Sequence, residues 1–127
     1  MDVDKAREKL ADTGKVGITG FCWGGFVAWM AACRLNVQAS AAYYGGGIID
    51  FIEEKPHCAT IAHFGRQDQS IPMDHVEAIK MAHPKAEIFT YEADHGFNCD
   101  HRGSYDSTAS SLARTRTLEF FAQHVSG

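Results

Sequence analysis

The chain has 127 residues, 45% of them hydrophobic and 22% charged, with a formal net charge of −4 at pH 7. This is enough chain for one domain of ordinary globular composition, which excludes a disordered, collagen-like or coiled-coil protein. No run of Lys or Arg offers a nucleic-acid footprint, and no apolar stretch approaches the roughly 18 residues of a membrane span. Neither nucleic acid nor a membrane is therefore expected as a partner.

The predicted elements alternate helix and strand. Asp2 or Asp4 can cap a first helix whose face reads Val3, Ala6 and Leu10, ended at Gly14. Lys15 to Phe21 reads as a short strand, with Gly24-Gly25 in the turn after it. Phe26 to Leu35 is apolar nearly all round, so it is expected as a helix buried on more than one side. Ala39 to Tyr44 reads as a second buried strand, ended by Gly45-Gly46-Gly47, and Ile48 to Glu54 as a short helix stopped by Pro56. Ala59 to Phe64 is the third strand. A loop over Gly65 to Pro72 leads to a helix from Met73 to Ala82, near whose start Asp74 is a candidate cap. Glu87 to Tyr91 alternates as the fourth strand. A polar loop then precedes a last helix, Ser104 to His124, whose inward face is expected at Leu118, Phe121, Ala122 and Val125. Strands alternating with helices argue for βαβ units and a parallel sheet with helices on its faces.

Met1 to Leu10 contain no apolar leader segment, and the four cysteines form no C-x-x-C pair. A reduced, cytoplasmic protein is the expectation. H-E-x-x-H is absent, and Cys99-Asp100-His101 is the nearest thing to a ligand cluster, so no metal and no cofactor are expected.

The most informative residues are Gly20-Phe21-Cys22-Trp23-Gly24-Gly25, a G-x-C-x-G pattern where a strand ends and an apolar helix begins. A nucleophile elbow holds its central residue in a strained backbone conformation, and glycines on either side avoid collisions with the neighbouring strand and helix. Cys22 is the candidate nucleophile, and the backbone N–H of Trp23 the candidate oxyanion donor. Cys33, inside a helix, and Cys58, leading into a strand, read as structural.

A thiol nucleophile needs a base, and the base an orienting carboxylate. His95 follows the fourth strand and Asp68 the third, so both belong at the carboxyl ends of parallel strands with Cys22. The order Cys22, Asp68, His95 is the nucleophile, acid, base order of α/β-hydrolases. Asp50, after the second strand, is the best rival acid. Asp94 adjoins His95 too closely in sequence for a good carboxylate–imidazole bond. His63, within a strand, reads as a core histidine, and His57, His75, His83, His101 and His124 as surface or loop residues.

Val16-Gly17-Ile18-Thr19-Gly20-Phe21-Cys22-Trp23-Gly24-Gly25, Tyr43-Tyr44-Gly45, His63-Phe64-Gly65 with Asp68 and Ile71-Pro72, and His95-Gly96-Phe97 resemble the dienelactone hydrolase family, block by block and in order. The resemblance implies the C-terminal half of an α/β-hydrolase fold, about four parallel strands flanked by helices, in a single partial domain over residues 1–127. It implies a Cys-Asp-His triad at Cys22, Asp68 and His95, and hydrolysis of a small-molecule lactone or ester through a thioester acyl-enzyme. It also implies substrate contacts at Tyr44 and Phe97. The arginine that the dienelactone enzyme carries four residues after its histidine is replaced by Cys99, and Arg102, three further on, is the remaining substrate-binding candidate.

Family members are nearly twice this length. The strands before the elbow, with a second oxyanion N–H, a glutamate and an arginine, have no counterpart here. One side of the strand Lys15 to Phe21 is then an uncharged open edge, a pairing hazard expected to be covered by a homo-oligomer or by another partner chain. Two other readings remain. In a class I glutamine amidotransferase, the base is expected in His-Pro-Glu, whereas this chain has His83-Pro84-Lys85 and, after His95, Gly96-Phe97. In the other, the chain is a catalytically idle truncated module serving self-association or partner binding.

Overall fold

The computed structural model describes residues 16–68, 70–93 and 107–125. The helix expected over the first fourteen residues lies outside that set. In chain order the elements are β1 (Gly17–Phe21), α1 (Trp23–Arg34), β2 (Ala39–Tyr43), a 3-10 turn (Ile48–Phe51), β3 (Ala59–Gly65), α2 (Met73–Ala82), β4 (Glu87–Tyr91) and α3 (Ser107–His124). The four strands form one parallel sheet in the order β1-β2-β3-β4, so the α/β architecture read from the sequence is the observed one.

Strand alternation divides the side chains between two faces. Ser40 on β2 donates to the Ala28 carbonyl of α1 at 2.6 Å, which places α1 on its face. On the opposite face Ala39, Ala41 and Ile61 pack with Phe120 of α3. The alanines of β2, all buried, let helices approach both faces closely. The fully buried Trp29 of α1, with Val76 and Ile79 of α2, fills much of the larger core cluster.

Phe21, Tyr43, His63 and Phe89 stand in register across the four strands. Their ring centroids are 4.6, 4.6 and 5.9 Å apart in turn, and the Arg116 guanidinium lies 4.2 Å from the Phe89 ring centroid. This row is stitched to α3 by hydrogen bonds. His63 Nδ1 meets the Tyr91 hydroxyl and His63 Nε2 the Thr117 hydroxyl, each at 2.8 Å, and Thr117 meets the Tyr43 hydroxyl at 2.9 Å. Arg116 donates to the Tyr91 hydroxyl at 3.2 Å. His63 is thus the satisfied core histidine that its place in a strand suggested.

Several boundaries and faces differ from the expectations. The helix after the elbow starts at Trp23, three residues before Phe26, because the chain passes from strand to helix through Cys22 alone. The segment from Ile48 is a single 3-10 turn, entered through Gly47 at φ 91°. Asp74 lies in the first turn of α2 and Pro72 holds the cap position.

The inward face of α3 is Ala109, Ala113, Thr117 and Phe120, while Leu118 is 57% exposed and Ala122 is exposed. Small residues let the helix close on the sheet, and the buried Thr117 is held by two hydroxyl or imidazole partners. Of the expected face, Phe121 and Val125 do pack as half-buried residues against the cluster of Ala39, Ala41, Ile61 and Phe120, while Leu118 and Ala122 turn outward. His83, expected as a surface or loop residue, does follow the end of α2 but is 5% exposed, its ring edge-on to Trp29 with centroids 5.5 Å apart.

Candidate active site

Cys22 sits between β1 and α1 with φ 56° and ψ −118°, outside the regions that side chains ordinarily tolerate. Its N–H donates to the Tyr43 carbonyl at 3.1 Å, and its carbonyl accepts from Gly25 and Phe26 at 3.0 and 3.2 Å. The turn is therefore held at both ends. A Cβ on Gly20 would lie 2.0 Å from the Gly24 carbonyl oxygen, and one on Gly25 would lie 2.3 Å from the Tyr43 carbonyl oxygen. Both are backbone atoms that cannot step aside. A Cβ on Gly24 would meet nothing within 4 Å, so the second tight glycine is Gly25 rather than the last glycine of the G-x-C-x-G pattern.

Cys22 is half-buried and the Trp23 side chain is 77% exposed. The Trp23 N–H opens α1, where backbone donors have no acceptor within the helix. Tyr44 follows β2 at φ 37°, 1% exposed, with its N–H donating to the His63 carbonyl at 2.6 Å.

Asp68 lies three residues beyond β3 at the same carboxyl edge of the sheet, and is 4% exposed. Its Oδ1 accepts from the N–H groups of Ser70 and Ile71 at 2.8 and 3.2 Å, which fixes the loop and the carboxylate together. β2 lies between the strands that lead to Cys22 and Asp68, so those two strands are about 10 Å apart in the sheet. His95, Phe97 and Arg102 lie outside the described residues, as do Asp94 and Cys99-Asp100-His101. The backbone leading towards His95 is described as far as Ala93, whose carbonyl accepts from Gln67 N–H at 3.0 Å, while Arg66 N–H donates to the Tyr91 carbonyl at 2.8 Å. The chain is thus tied beside Asp68 two residues before His95. Nothing in the sequence announced that tie, because backbone groups make it. The rival acid Asp50 is exposed in the 3-10 turn.

Burial pushes the Cys33 thiol up to about 11, with the Glu54 carboxylate adding to the effect. Burial also raises Cys58. Both are poor thiolate sources at neutral pH, which fits a structural role for each. Among the described residues no three His, Cys, Asp or Glu side chains are placed to share a metal ion, and no helix is long and apolar enough to cross a membrane.

The model of the dienelactone hydrolase family matches residues 1–125. The chain belongs to that family. A Yersinia pestis protein whose carboxymethylenebutenolidase designation is provisional is 40% identical over 129 residues, covering 89% of this chain and 48% of its own. The carboxymethylenebutenolidase of Pseudomonas putida is 32% identical over 123 residues, covering 92% of this chain and 52% of its own. The chain spans about half the length of the curated relatives it matches.

A Klebsiella pneumoniae crystal structure, provisionally described as a dienelactone hydrolase, superposes with a TM-score of 0.77 at 34% identity. The match covers 85% of this chain and 52% of that one. A Pyrococcus furiosus esterase superposes with a TM-score of 0.74 over 97% of this chain and 60% of its own. At 14% identity, that second match speaks for the fold alone.

Proposed function

We propose that this dienelactone hydrolase family member cleaves small-molecule lactones or carboxylic esters, with Cys22 as nucleophile, His95 as base and Asp68 as the carboxylate that orients it. The observation that carries the reading is that the strained turn at Cys22 and the buried, loop-anchored Asp68 lie at the same sheet edge, with the chain towards His95 bonded beside Asp68.

In this mechanism His95 takes the proton from the Cys22 thiol. The thiolate attacks the substrate carbonyl, and the Trp23 N–H donates to the oxygen as it becomes negative. The carbonyl reforms as the carbon–oxygen ester bond breaks, and the alkoxide leaves with the proton held by His95. Water, deprotonated by His95, then hydrolyses the thioester to the acid and returns the proton to sulfur. For a lactone the alkoxide stays attached and the product is a hydroxy acid. Tyr44, Phe97 and Arg102 are the substrate-side candidates. A thiol nucleophile suits a reducing compartment such as the cytoplasm.

The test is intact-protein mass spectrometry after mixing with an activated aryl ester. A transient acyl group on the peptide holding Cys22, decaying as acid is released, is the expected result. Labelling confined to Cys33, Cys58 or Cys99 would overturn the assignment.

Residues 1–127 are read as a single partial domain of the hydrolase fold. Among the described residues β1 pairs only with β2, and it carries Phe21, 43% exposed, at its end. We infer that another chain, a second copy in the simplest case, covers this edge, since open, uncharged strand edges recruit partners. Light scattering on the purified chain is expected to give a dimer or higher oligomer with slowly exchanging β1 amides. A monodisperse monomer whose β1 amides exchange freely would refute it.

A further inference from the structure

Arg66 and Glu92 are the first residues beyond β3 and β4, whose register ends at the pair Gly65 and Tyr91. The chain reaches Asp68 two residues after Arg66, and His95 three residues after Glu92. The acid and the base are thus carried by segments that leave the sheet side by side, just past its last paired residues. Their mutual alignment depends on how those two exits are held together.

Backbone bonds hold them in part. The Tyr91 carbonyl accepts from Arg66 N–H and from Ala93 N–H, each at 2.8 Å, and the Ala93 carbonyl accepts from Gln67 N–H at 3.0 Å. The bond from Ala93 N–H to Tyr91 closes a three-residue γ-turn with Glu92 at its centre. This turn bends the chain where it leaves β4 for His95. None of these three bonds engages Glu92 itself.

The Arg66 side chain supplies that contact. Its Nε donates to the Thr90 hydroxyl at 3.1 Å and its Nη1 to Glu92 Oε1 at 2.5 Å. One planar guanidinium therefore grips the neighbouring exit at two points, one inside β4 and one in the turn. Two bonds from a single rigid group fix an angle as well as a distance. The Arg66 and Glu92 side chains are 51% and 68% exposed. An exposed ion pair adds little to global stability, so the consequence of this one is local.

We propose that Arg66 is a positioning residue for the Asp68–His95 pair, gripping Thr90 and Glu92 so that the chain leaves β4 in the direction that sets the imidazole against the carboxylate. The proposal rests on the hydrolase reading, in which Asp68 orients His95. Loss of the grip lets the turn tilt and lengthens the carboxylate–imidazole bond. A displacement of about 1 Å at reacting groups can cost about 10²-fold in rate. A more distant carboxylate also stabilises the imidazolium less, so the imidazole gives up its proton at lower pH.

The test follows decay of the Cys22 acyl-enzyme by mass spectrometry across pH, because the thiol is already consumed in that step and His95 is its titrating base. Arg66→Ala and Glu92→Ala are each expected to slow deacylation about tenfold and to move the acid limb of its pH profile down by about half a pH unit or more. The double variant is expected to be no slower than either single one, because both remove the same contact. Arg34→Ala breaks the exposed ion pair with Glu54 at the far end of α1 and is expected to leave rate and profile unchanged. Urea midpoints are expected to stay close to that of the unmodified chain in all four variants. A rate or an acid limb that Arg66→Ala leaves unmoved, losses that add in the double variant, or an equal loss in Arg34→Ala would overturn the role of Arg66 alone. An unmodified chain that forms no acyl group on Cys22 would overturn the hydrolase reading, and this role with it.

Discussion

Replacing Cys22 with alanine is expected to lower sustained aryl-ester hydrolysis by at least about 10³-fold, because the proposed thioester route then has no nucleophile. The turn itself survives the change, since alanine keeps the backbone bonds from Cys22 N–H to Tyr43 and from Gly25 and Phe26 to the Cys22 carbonyl. The variant therefore separates chemistry from folding. It also controls for the other thiols, any of which can be acylated once without turning over. Asp68→Asn is the companion experiment. An amide oxygen can still accept from Ser70 and Ile71, so the loop is kept while the negative charge that the proposed mechanism sets against the imidazolium is lost. A fall of about 10²–10⁴ in kcat is expected, with little change in KM. Turnover by the Cys22→Ala chain at the unmodified rate would remove the thiol mechanism.

The parts of this molecule that were legible in the sequence are those fixed by local pattern. The strands over Gly17–Phe21, Ala39–Tyr43, Ala59–Gly65 and Glu87–Tyr91 fall where short apolar or alternating runs predict them, and α2 falls over the residues expected. Cys22 stood out because strained backbone demands glycine close by. That demand is met at Gly20 and Gly25, which face backbone oxygens, whereas Gly24 faces open space. The motif was right in kind and off by one residue in its reason.

What was not legible depends on partners distant in sequence. Thr117 is polar, and nothing local marks it as buried. Its burial follows from Tyr43 and His63, 74 and 54 residues away in the chain. The helix therefore turns Ala109, Ala113 and Thr117 inward and leaves Leu118 outside. His83 shows the same limit from the other side, since a loop position before a proline suggests a surface residue and Trp29 covers it instead. Where helices meet sheets through small and hydroxylated residues, hydrophobic periodicity is a poor guide to the contact face.

The hydrogen-bonded row that docks α3 makes the chain sensitive to acid. Arg116 donates to the Tyr91 hydroxyl, which keeps its own proton for His63 Nδ1, and in that tautomer His63 Nε2–H donates to Thr117. The arrangement suits a neutral imidazole whose Nδ1 is an acceptor. Burial, with the nearby Arg116 charge, lowers His63 to about 3, against about 6.5 for an exposed histidine. Between those values the unfolded chain binds a proton that the folded chain refuses. The stabilising contribution is complete above about pH 6.5 and is lost as pH falls towards 3, at up to about 1.4 kcal/mol per pH unit. The whole loss is on the order of 4 kcal/mol, a large part of a small domain's stability. Urea denaturation at a series of pH values from 7 to 4 is expected to show this slope, and His63→Gln, which cannot titrate, to show a much flatter one. The imidazole resonance of His63 in the unmodified chain provides a reading that needs no variant, and it is expected to remain in the neutral form down to the onset of unfolding. A His63 that titrates near 6.5 while the protein stays folded would mean that the row tolerates a charge, and the acid sensitivity would have to come from elsewhere in the molecule.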